Sequence, residues 1–593
     1  MIVEQMRWDL SQLVEIDDPD YISERLTAAV RASEEFRDKH RGKVPDFNAK
    51  QVLEMLEESD KWALEFEGPF MYAYLKYFAD MTTDVAKRLH SNAQNATMLS
   101  QQNLAFMELE LGQLLKKNPE IINDPVLSEY KHKLERLKRQ IPYMLSEEQE
   151  QLAIQKDKNG IDAWSQIQSD WLATREFEIE VDGETKTMPY GEIIGLYEHP
   201  NRDLRKRAHE VVYSKLGEDE ILWASAVRSV SSDHNDMTKL RKWPTPMTQS
   251  LIANDVDEAA IQALMNTIEK NVGVFQKYLR LKAKAMGLEK LGNWDEIAPL
   301  PSAPDKKYSW DEARKMVVES YTEFDEESGT WMDEMFEQRH LDGEVRKGKT
   351  SGAFCSTWFV GKSAYILQSY NGILGDVFTM AHELGHALHA YLGTRAQKPS
   401  NYEIGSCIAE TGSIFGTLLL VEKLLTTGET KEEKLAVLST VLDDFGQAAF
   451  QVSARVFFET AMYEAIEKNI FLSGEKISEL WVEARDKVYG DAIDWLPVMK
   501  WWWTMKLHFY IPNYRYYNYP YVYAQLFVYA MYRLYKEQGK VFVPNLKALL
   551  AAGSSKSPRE LAAEIGFDIT TEEFWQKGID QFDVFIKEFE DTL

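Results

Sequence analysis

The chain has 593 residues, of which 44% are hydrophobic and 27% are charged, a balance typical of a globular protein with a large core. Its formal net charge of -27 argues against binding to nucleic acid, because contact with the phosphate backbone needs clustered lysine and arginine. Only two cysteines are present, Cys355 and Cys407, which fits a reducing compartment and argues against a disulfide framework.

The N-terminal residues MIVEQMRWDLSQL do not have the pattern of a signal peptide. They contain Glu4 and Arg7 and no extended apolar run. The longest apolar stretch, IFGTLLLV, ends at Glu422 and is far shorter than the roughly 20 residues that a membrane span needs. We therefore expect a cytoplasmic protein that has no membrane partner.

Helical periodicity dominates the first third of the chain, and a hairpin follows it. A long helix is predicted over Asp84–Leu115. Residues Glu176–Met188 alternate apolar and polar side chains and turn at Asp182 and Gly183, which predicts a β-hairpin. We expect a domain boundary after this hairpin, without a flexible linker.

Further along the chain, helices again alternate with one short β-rich segment. A helix is predicted over Asp257–Gly287, which begins on an acidic residue and ends on glycine. Residues Gly352–Gly372 contain two short β-rich runs directly before a histidine-rich helix. Residues Glu432–Lys468 predict another long helix, with Gly446 as the point of a break, and an amphipathic helix closes the chain. The expected fold is mostly α, with a small β-sheet beside the histidine-rich helix.

The histidine-rich helix, MAHELGHALHAYLG, contains three of the eleven histidines of the chain. Asp376 can cap its start and Gly393 can end it. His382 and His386 are four residues apart, so both imidazoles lie on one helix face and can share one tetrahedral cation. Glu383 lies beside them and can act as general base towards a water on the metal.

The competing interpretation is a helix with surface histidines or histidines satisfied by other partners. The apolar residues that flank the motif predict burial, and buried histidines without a partner are costly, so we favour a metal site. His389 lies on nearly the same face, but a fourth ligand would block the open position of a catalytic zinc. We expect His389 to pack behind the site. The extended HExxHxxGxxH pattern is excluded, because His389 and Leu392 replace its glycine and last histidine.

The third metal ligand is expected from a carboxylate downstream of the helix, and two candidates exist. Glu403 follows a loop-like segment, whereas Glu410 lies in an apolar stretch between Ile408 and Ile414. A carboxylate in apolar surroundings needs a charge partner, and a metal ion would be one. We therefore prefer Glu410, with a core ion pair as the alternative role for it.

These motifs resemble the M3 metallopeptidases, and most closely the oligoendopeptidase F branch. The segment DVFTMAHELGHALHAY is followed by IAETGS, in which Glu410 lies 24 residues after His386. The similarity covers most of the chain, including the segments RWDLSQL, LERLKRQIPYMLSEEQEQL, GKTSGAFCSTW and HFYIPNYRYYNYPYVYAQLF. The resemblance implies a mostly helical zincin-type fold with a deep channel around one zinc ion. It also implies that short peptides are the substrates.

With this resemblance, the predicted boundary separates a helical N-terminal domain, residues 1–195, from a catalytic zinc-peptidase domain, residues 196–593. The predicted zinc ligands are His382, His386 and Glu410, and Glu383 is the predicted general base.

The segment from Tyr510 to Tyr523 contains seven tyrosines in fourteen residues, interrupted by two prolines. One interpretation is an aromatic core cluster. The family uses a histidine and tyrosines of this segment to stabilise the developing oxyanion, which requires neutral O–H or N–H donors. His508 matches this histidine, and we select Tyr519 and Tyr521 as the tyrosines.

The strand before the histidine-rich helix and the two cysteines are further features of the sequence. The strand SAYILQSYN could present a free edge to which a peptide adds by backbone pairing, or it could be a plain structural hairpin. Cys355 and Cys407 are expected to be small buried hydrophobic residues.

The favoured function is a zinc endopeptidase that cleaves internal bonds of short peptides. A zinc exopeptidase is one alternative, although no charged group for gripping a peptide terminus is evident. A peptide-binding protein with a structural zinc is another, but structural zinc sites favour closed cysteine and histidine sets. The sequence does not indicate an oligomeric state.

Overall fold

The structure is a computed structural model that describes residues 6–593. The first five residues, including Glu4 of the signal-peptide expectation, lie outside the described part. The fold is mostly α-helical with small sheets, as predicted. None of the described helices has both the length and the apolar composition that crossing a lipid bilayer requires.

The helices of the described part are numbered in chain order. They are α1 (Pro19–His40), α2 (Ala49–Ala79), α3 (Asp84–Leu104), α4 (Phe106–Lys117), α5 (Lys131–Gln140), α6 (Glu147–Asn159), α7 (Ala163–Thr174), α8 (Tyr190–Gly195), α9 (Arg202–Glu218), α10 (Glu220–Arg241), α11 (Thr248–Asn254), α12 (Glu258–Ala285), α13 (Trp310–Phe324), α14 (Glu326–Glu337), α15 (Leu374–Ala396), α16 (Ser406–Ala409), α17 (Thr411–Thr427), α18 (Lys431–Phe445), α19 (Val452–Glu467), α20 (Gly474–Tyr489), α21 (Tyr519–Gln538), α22 (Val543–Ala551), α23 (Pro558–Glu564) and α24 (Glu572–Thr592).

The strands of the described part form three small sheets. They are β1 (Glu176–Val181), β2 (Glu184–Pro189), β3 (Leu291–Gly292), β4 (Leu341–Asp342), β5 (Phe354–Trp358), β6 (Ser363–Leu367) and β7 (Ile493–Asp494). β1 pairs with β2, β3 pairs with β7, and the third sheet has the order β4-β6-β5.

The chain forms two compact units, each assembled from separate segments. The first unit contains the described residues up to Ile141, together with Asp305–Thr426 and Met531–Phe567. The second unit contains Pro142–Pro304, Thr427–Ala530 and Asp568–Leu593. The boundary between residues 195 and 196 that the sequence suggests stays a prediction.

The long predicted helices are present, with two local differences. The helix predicted over Asp84–Leu115 is interrupted at Ala105, although this residue keeps right-handed helical angles of φ -57° and ψ -27°. The break predicted at Gly446 is a π-helical turn that joins α18 to α19. A Cβ atom at Gly446 would lie 2.5 Å from the Phe275 ring, so glycine permits close packing there.

The predicted hairpin is confirmed in the second unit. Asp182 and Gly183 have φ angles of 54° and 83°, the left-handed conformation that a two-residue hairpin turn requires. Phe177 and Ile179 of β1 point into a hydrophobic core that also contains Trp223. The alternation read from the sequence therefore separates a buried face from an exposed one.

The sheet of the first unit corrects one expectation. β6, within the segment SAYILQSYN, is the central strand, because it pairs in parallel with β4 and antiparallel with β5. All five residues of β6 are buried. Of the two interpretations of this strand, the free edge is wrong, because both of its edges are paired. The edge strands are β4 and β5, and the residues of β5 are half-buried. β4 has only two residues, which is too short for a periodicity signal.

A buried ion pair supports the edge of this sheet. Lys349 Nζ donates to Asp342 Oδ1 at 2.7 Å and to the Glu344 carbonyl oxygen at 3.0 Å. The side chains of Lys349 and Asp342 are each 1% exposed. Arg346 donates two further hydrogen bonds to the Asp342 carboxylate. The Lys349 side chain thus links β4, through Asp342, to the segment that follows this strand, through Glu344.

Replacing Lys349 by methionine should destabilise the first unit by about 3 kcal/mol, because a buried carboxylate loses part of its charge compensation. The measurement is the calorimetric unfolding transition of the full chain. Lys87→Met, which alters an exposed helix surface, is the control and should change stability by less than about 0.5 kcal/mol. Equal transition temperatures for the two variants would contradict this role of Lys349.

Candidate metal centre

Helix α15 carries the histidine motif, and its ends differ from the sequence expectation. Asp376 lies in the first turn, and its carboxylate accepts hydrogen bonds from the backbone N–H groups of Asn371 and Ile373 at 2.6 and 3.2 Å. Asp376 is therefore not the N-cap residue, but its side chain accepts hydrogen bonds from the backbone at the start of the helix. Gly393 does not end the helix, which continues to Ala396. A Cβ atom at Gly393 would lie 2.6 Å from the Tyr402 ring, so its role is close packing.

The structure brings His382, His386 and Glu410 together. Glu410 Oε2 lies 3.4 Å from His382 Nε2 and 3.2 Å from His386 Nε2. One ligand atom from each residue lies within 4.8 Å of the others, and no further group of this kind occurs among the described residues. A tetrahedral cation with bonds of about 2.0–2.1 Å separates its ligand atoms by roughly 3.3–3.4 Å. The two distances to Glu410 match this separation, so the three side chains fit a divalent cation.

Glu410 reaches the histidines from the junction between α16 and α17. The residue has φ -84° and ψ 4°, angles that end α16 before α17 begins. The hydroxyl of Ser413 donates to Glu410 Oε2 at 2.6 Å and so orients the carboxylate. Glu403, the other candidate ligand, is not part of the group.

Two glycines allow this junction to approach α15. A Cβ atom at Gly385 would lie 2.2 Å from the Gly412 carbonyl oxygen, and one at Gly412 would lie 2.3 Å from the Gly385 oxygen. A third glycine, Gly416, accommodates the hydroxyl of Tyr321, which donates to the Ala381 carbonyl oxygen at 2.8 Å. The backbone contact between Gly385 and Gly412 sets the distance from Glu410 to both imidazoles.

The charges of the site are strongly coupled. Burial opposes the ionised form of Glu410, but hydrogen bonds from His382 and His386 hold the pKa of its carboxyl well below the usual range. Burial also disfavours the charged form of His386, yet the hydrogen bond and the charge of Glu410 raise the pKa of this imidazole. The anionic carboxylate thus favours positive charge at the point where the three ligand atoms converge.

Glu383 and His389 are both buried, at 7% and 2% exposure. Burial raises the pKa of Glu383, and the charge of Glu410 adds to this effect while the two histidines oppose it. A raised pKa makes the carboxylate a better proton acceptor. Burial and the neighbouring His386 lower the pKa of His389 to about 3, so its imidazole is neutral. His389 packs beside Gly412, in keeping with the predicted packing role.

His382 and His386 are 36% and 25% exposed, because their face of α15 opens into a cavity of about 490 Å³. The cavity is lined by β5, α15 and the segment between Tyr402 and Glu410. Sequence reasoning missed the pair formed by Thr357 and Tyr402, whose hydroxyl oxygens are 2.9 Å apart. Only the position of β5 directly before α15 hinted that a strand would line the site.

Both cysteines are free thiols. Cys407 is fully buried, as predicted. Cys355 is half-buried and lines the cavity. Burial and the charge of Glu383 raise the pKa of the Cys355 thiol well above its ordinary value, so this group is a protonated thiol and not a nucleophile.

His508, Tyr519 and Tyr521 belong to the second unit. His508 Nε2 lies 3.5 Å from the Tyr521 hydroxyl, and Tyr521 is 39% exposed. Burial and the charges of Arg455, Lys506 and Arg515 lower the pKa of His508 to about 4, so the imidazole is a neutral donor at pH 7.

The structure does not bring Tyr519 to this pair. Its hydroxyl is buried, 3.2 Å from Ser250 Oγ and 3.3 Å from Asn254 Nδ2. Tyr519 is the first residue of α21, and Pro520 lies in the first turn, where proline is tolerated. Most tyrosines of the segment are core residues, since Tyr510, Tyr516, Tyr519 and Tyr523 are at most 4% exposed.

Arg515 and Glu459 hold the backbone of this segment. The Arg515 guanidinium is 2% exposed and donates to the carbonyl oxygens of His508 and Ile511. The buried Glu459 carboxylate accepts from the Tyr516 backbone N–H at 2.9 Å. Tyr516 has a φ angle of 52°, a left-handed conformation that is strained for a bulky residue. These bonds fix the position from which His508 projects.

Comparisons with known proteins identify the family. Residues 196–581 match the family model described as Peptidase family M3, and residues 116–177 match one described as Oligopeptidase F. The chain belongs to peptidase family M3. It is therefore a metalloendopeptidase, as the sequence motifs predict.

This M3 peptidase has relatives that match along its whole length. It is 26% identical to Oligopeptidase PepF of Bacillus subtilis, over 94% of this chain and 83% of that protein. It is also 26% identical to Group B oligopeptidase PepB of Streptococcus agalactiae, over 100% of this chain and 98% of that protein.

Solved structures share the fold of the M3 peptidase. A putative peptidase from Chlamydophila abortus has a TM-score of 0.86 at 20% identity, over 99% of this chain and 98% of that chain. Oligoendopeptidase-F from Enterococcus faecium has a TM-score of 0.71 at 23% identity, over 97% and 98% of the two chains. The predicted mostly helical fold is thus confirmed.

Replacing Gly385 by alanine should reduce metal binding, because the new Cβ atom must push α15 away from the Gly412 carbonyl oxygen. The zinc-to-protein ratio after dialysis against a limiting zinc buffer should fall at least about tenfold, since small displacements of ligands weaken metal sites strongly. Gly375→Ala is the matched control on the same helix, because its Cβ atom would meet only the Ile373 side chain at 3.9 Å. A Gly385→Ala variant that retains full zinc content would show that the helix contact does not position Glu410.

Proposed function

We propose that the M3 peptidase is a zinc-dependent endopeptidase that cleaves internal bonds of short oligopeptides. One observation carries the proposal: the ligand atoms of His382, His386 and Glu410 converge at a cavity wall, with Glu383 directly beside them. Two imidazoles and one carboxylate are a donor set typical of catalytic zinc, which keeps a fourth position open. The names of the relatives PepF and PepB, both oligopeptidases, support short peptides as substrates.

Glu383 performs the proton transfers of the proposed reaction. When bound, zinc supplies Lewis-acid chemistry, because it lowers the pKa of a coordinated water towards about 7 and polarises the peptide carbonyl. The Glu383 carboxylate accepts a proton from the attacking water, helped by the burial that raises its pKa. Glu383 then delivers this proton to the amide nitrogen of the leaving group. Ser413 and the glycine contact keep Glu410 in position throughout.

We also infer that the edge strand β5 binds the peptide backbone. β5 pairs with β6 along only one of its two edges. Phe354, Cys355 and Thr357 of β5 line the cavity beside the proposed zinc ligands. A peptide that pairs with the other edge is held by main-chain hydrogen bonds, which read an extended conformation and not a sequence.

His508 and Tyr521 are the proposed donors to the oxyanion. The neutral imidazole and the partly exposed hydroxyl lie next to each other, and both can donate a hydrogen bond to a negatively charged oxygen. Tyr519 is the weaker candidate, because its hydroxyl is buried against Ser250 and Asn254.

Residues 196–593 are the proposed catalytic domain, which the family match over residues 196–581 supports. The proposed compartment is the cytoplasm, supported by two free thiols.

The alternatives to an endopeptidase are an exopeptidase and a peptide-binding protein with a structural zinc. A structural site would favour a closed set of cysteine and histidine ligands.

Glu383→Gln should retain bound zinc and lose at least about a hundredfold in kcat, because the amide cannot accept the proton. The substrate is a quenched peptide blocked at both termini, which an endopeptidase cleaves and an exopeptidase does not. Glu410→Ala is the companion variant and should lose the zinc itself. Normal turnover by Glu383→Gln would remove this residue from the mechanism, and failure of the wild-type chain to cleave blocked peptides would favour the exopeptidase.

Tyr521→Phe should lower kcat roughly a hundredfold with little change in KM, as expected for the loss of one oxyanion donor. Tyr519→Phe is the matched variant and should mainly lower the melting temperature. In this variant, the buried side chains of Ser250 and Asn254 lose the hydroxyl oxygen as their hydrogen-bond acceptor. The two kcat values and two melting curves decide between the tyrosines. A larger loss of kcat in Tyr519→Phe would reverse the assignment.

A further inference from the structure

Glu403 is a carboxylate in the metal cavity that the proposed mechanism does not use. It lies between the short helical turn Pro399–Asn401 and α16, and its residue lines the same cavity as Glu383 and Glu410. Glu383 and Glu410 have assigned roles, as base and as ligand. Glu403 is exposed, and no hydrogen bond or ion pair links its side chain to another described residue. Its charge is therefore available to a substrate.

The surroundings of Glu403 define the chemistry of that substrate group. Among the described residues that line the cavity, none is a lysine or an arginine, so the protein itself does not neutralise the carboxylate there. Phe354, Tyr402 and Ile404 contribute apolar surface to the same walls. Apolar walls accommodate an aliphatic stem, and a carboxylate pairs with a cationic tip. Lysine and arginine side chains have both parts.

We propose that Glu403 gives the M3 peptidase a preference for peptides with a lysine or arginine side chain close to the scissile bond. The inference rests on the proposed peptidase function, because the cavity must hold the substrate next to the zinc ligands. A peptide held along β5 runs past the wall to which Glu403 contributes, so a basic side chain can approach the carboxylate while the backbone stays paired. The recognised group is a side-chain cation and not the terminal ammonium of the peptide.

The expected effect is moderate, because Glu403 is exposed and water screens the pair. We expect kcat/KM to be about three- to tenfold higher for a basic side chain than for an uncharged one of similar length. The preference should weaken as salt is raised from about 0.05 M to 0.5 M, since the Debye length shortens several-fold. An apolar pocket alone would produce no such salt dependence.

The test uses the full-length zinc-loaded chain and peptides blocked at both termini that differ at one position, lysine against norleucine. Glu403→Gln should abolish the difference in kcat/KM by lowering cleavage of the lysine peptide to the level of the norleucine peptide. Glu403→Lys should reverse the preference when a glutamate peptide is included. Glu24→Gln, which neutralises an exposed glutamate of α1 outside the cavity, is the matched control and should keep the wild-type preference.

Equal kcat/KM values for the lysine and norleucine peptides in the wild-type chain would overturn the proposal. So would a preference that persists in Glu403→Gln, or a loss of activity on the norleucine peptide in that variant, which would indicate a structural role. A preference seen only with a free N-terminus would assign Glu403 to the terminal ammonium instead.

A measurement of peptide binding distinguishes a failure of this inference from a failure of the proposed function. Fluorescence titration of the Glu383→Gln variant with both peptides should show a similar three- to tenfold difference in Kd between lysine and norleucine. If the wild-type chain cleaves neither peptide, the proposed function fails, and this titration still decides whether Glu403 selects a cation. Equal Kd values would then contradict the inference by themselves.

Discussion

The backbone contact between Gly385 and Gly412 is the constraint on which the metal centre depends. Side chains at these positions would force α15 away from the junction that carries Glu410, because each added Cβ atom would lie within 2.3 Å of a backbone oxygen. Glycine in a helix costs about 1 kcal/mol relative to alanine, so each position lowers the intrinsic stability of its helix. The tight packing that results, including Tyr321 in the space beside Gly416, offsets this cost. Local helix stability is thus reduced where the site requires close approach.

The same contact determines the electrostatics of the site. It places one carboxylate oxygen within 3.4 Å of two imidazole nitrogens, so the group attracts positive charge at their common centre. A proton on His386 satisfies part of this demand, which is why the carboxylate raises the pKa of that imidazole despite burial. A divalent cation satisfies it more fully and competes with protons, because the ligands must be deprotonated to bind a metal. The site is therefore preorganised for a cation by geometry and charge together.

The parts of the site that could be predicted from the sequence are those with a local signal. His382, Glu383 and His386 lie within one and a half helical turns, so the helical period alone places them on adjacent faces. Glu410 was recognisable as a carboxylate in an apolar stretch. By contrast, the central position of β6 in the small sheet depends on its pairing with β4, whose two residues carry no sequence pattern. The contact of Gly385 with Gly412 joins residues that are distant in the sequence, so no local pattern predicts it. The tyrosine-rich segment was ambiguous for a related reason, because composition does not distinguish a buried hydroxyl, as in Tyr519, from an exposed one, as in Tyr521.

Three carboxylates line one cavity, and their environments separate their roles. Glu410 is bonded to two histidines and a serine, which hold it ionised and directed towards the metal position. Glu383 is buried without a bonded cation, so its pKa rises and it can take up a proton. Glu403 is exposed to solvent. Burial and neighbours alone therefore give identical functional groups different electrostatic environments, a principle by which one fold combines acid, base and recognition chemistry at neutral pH.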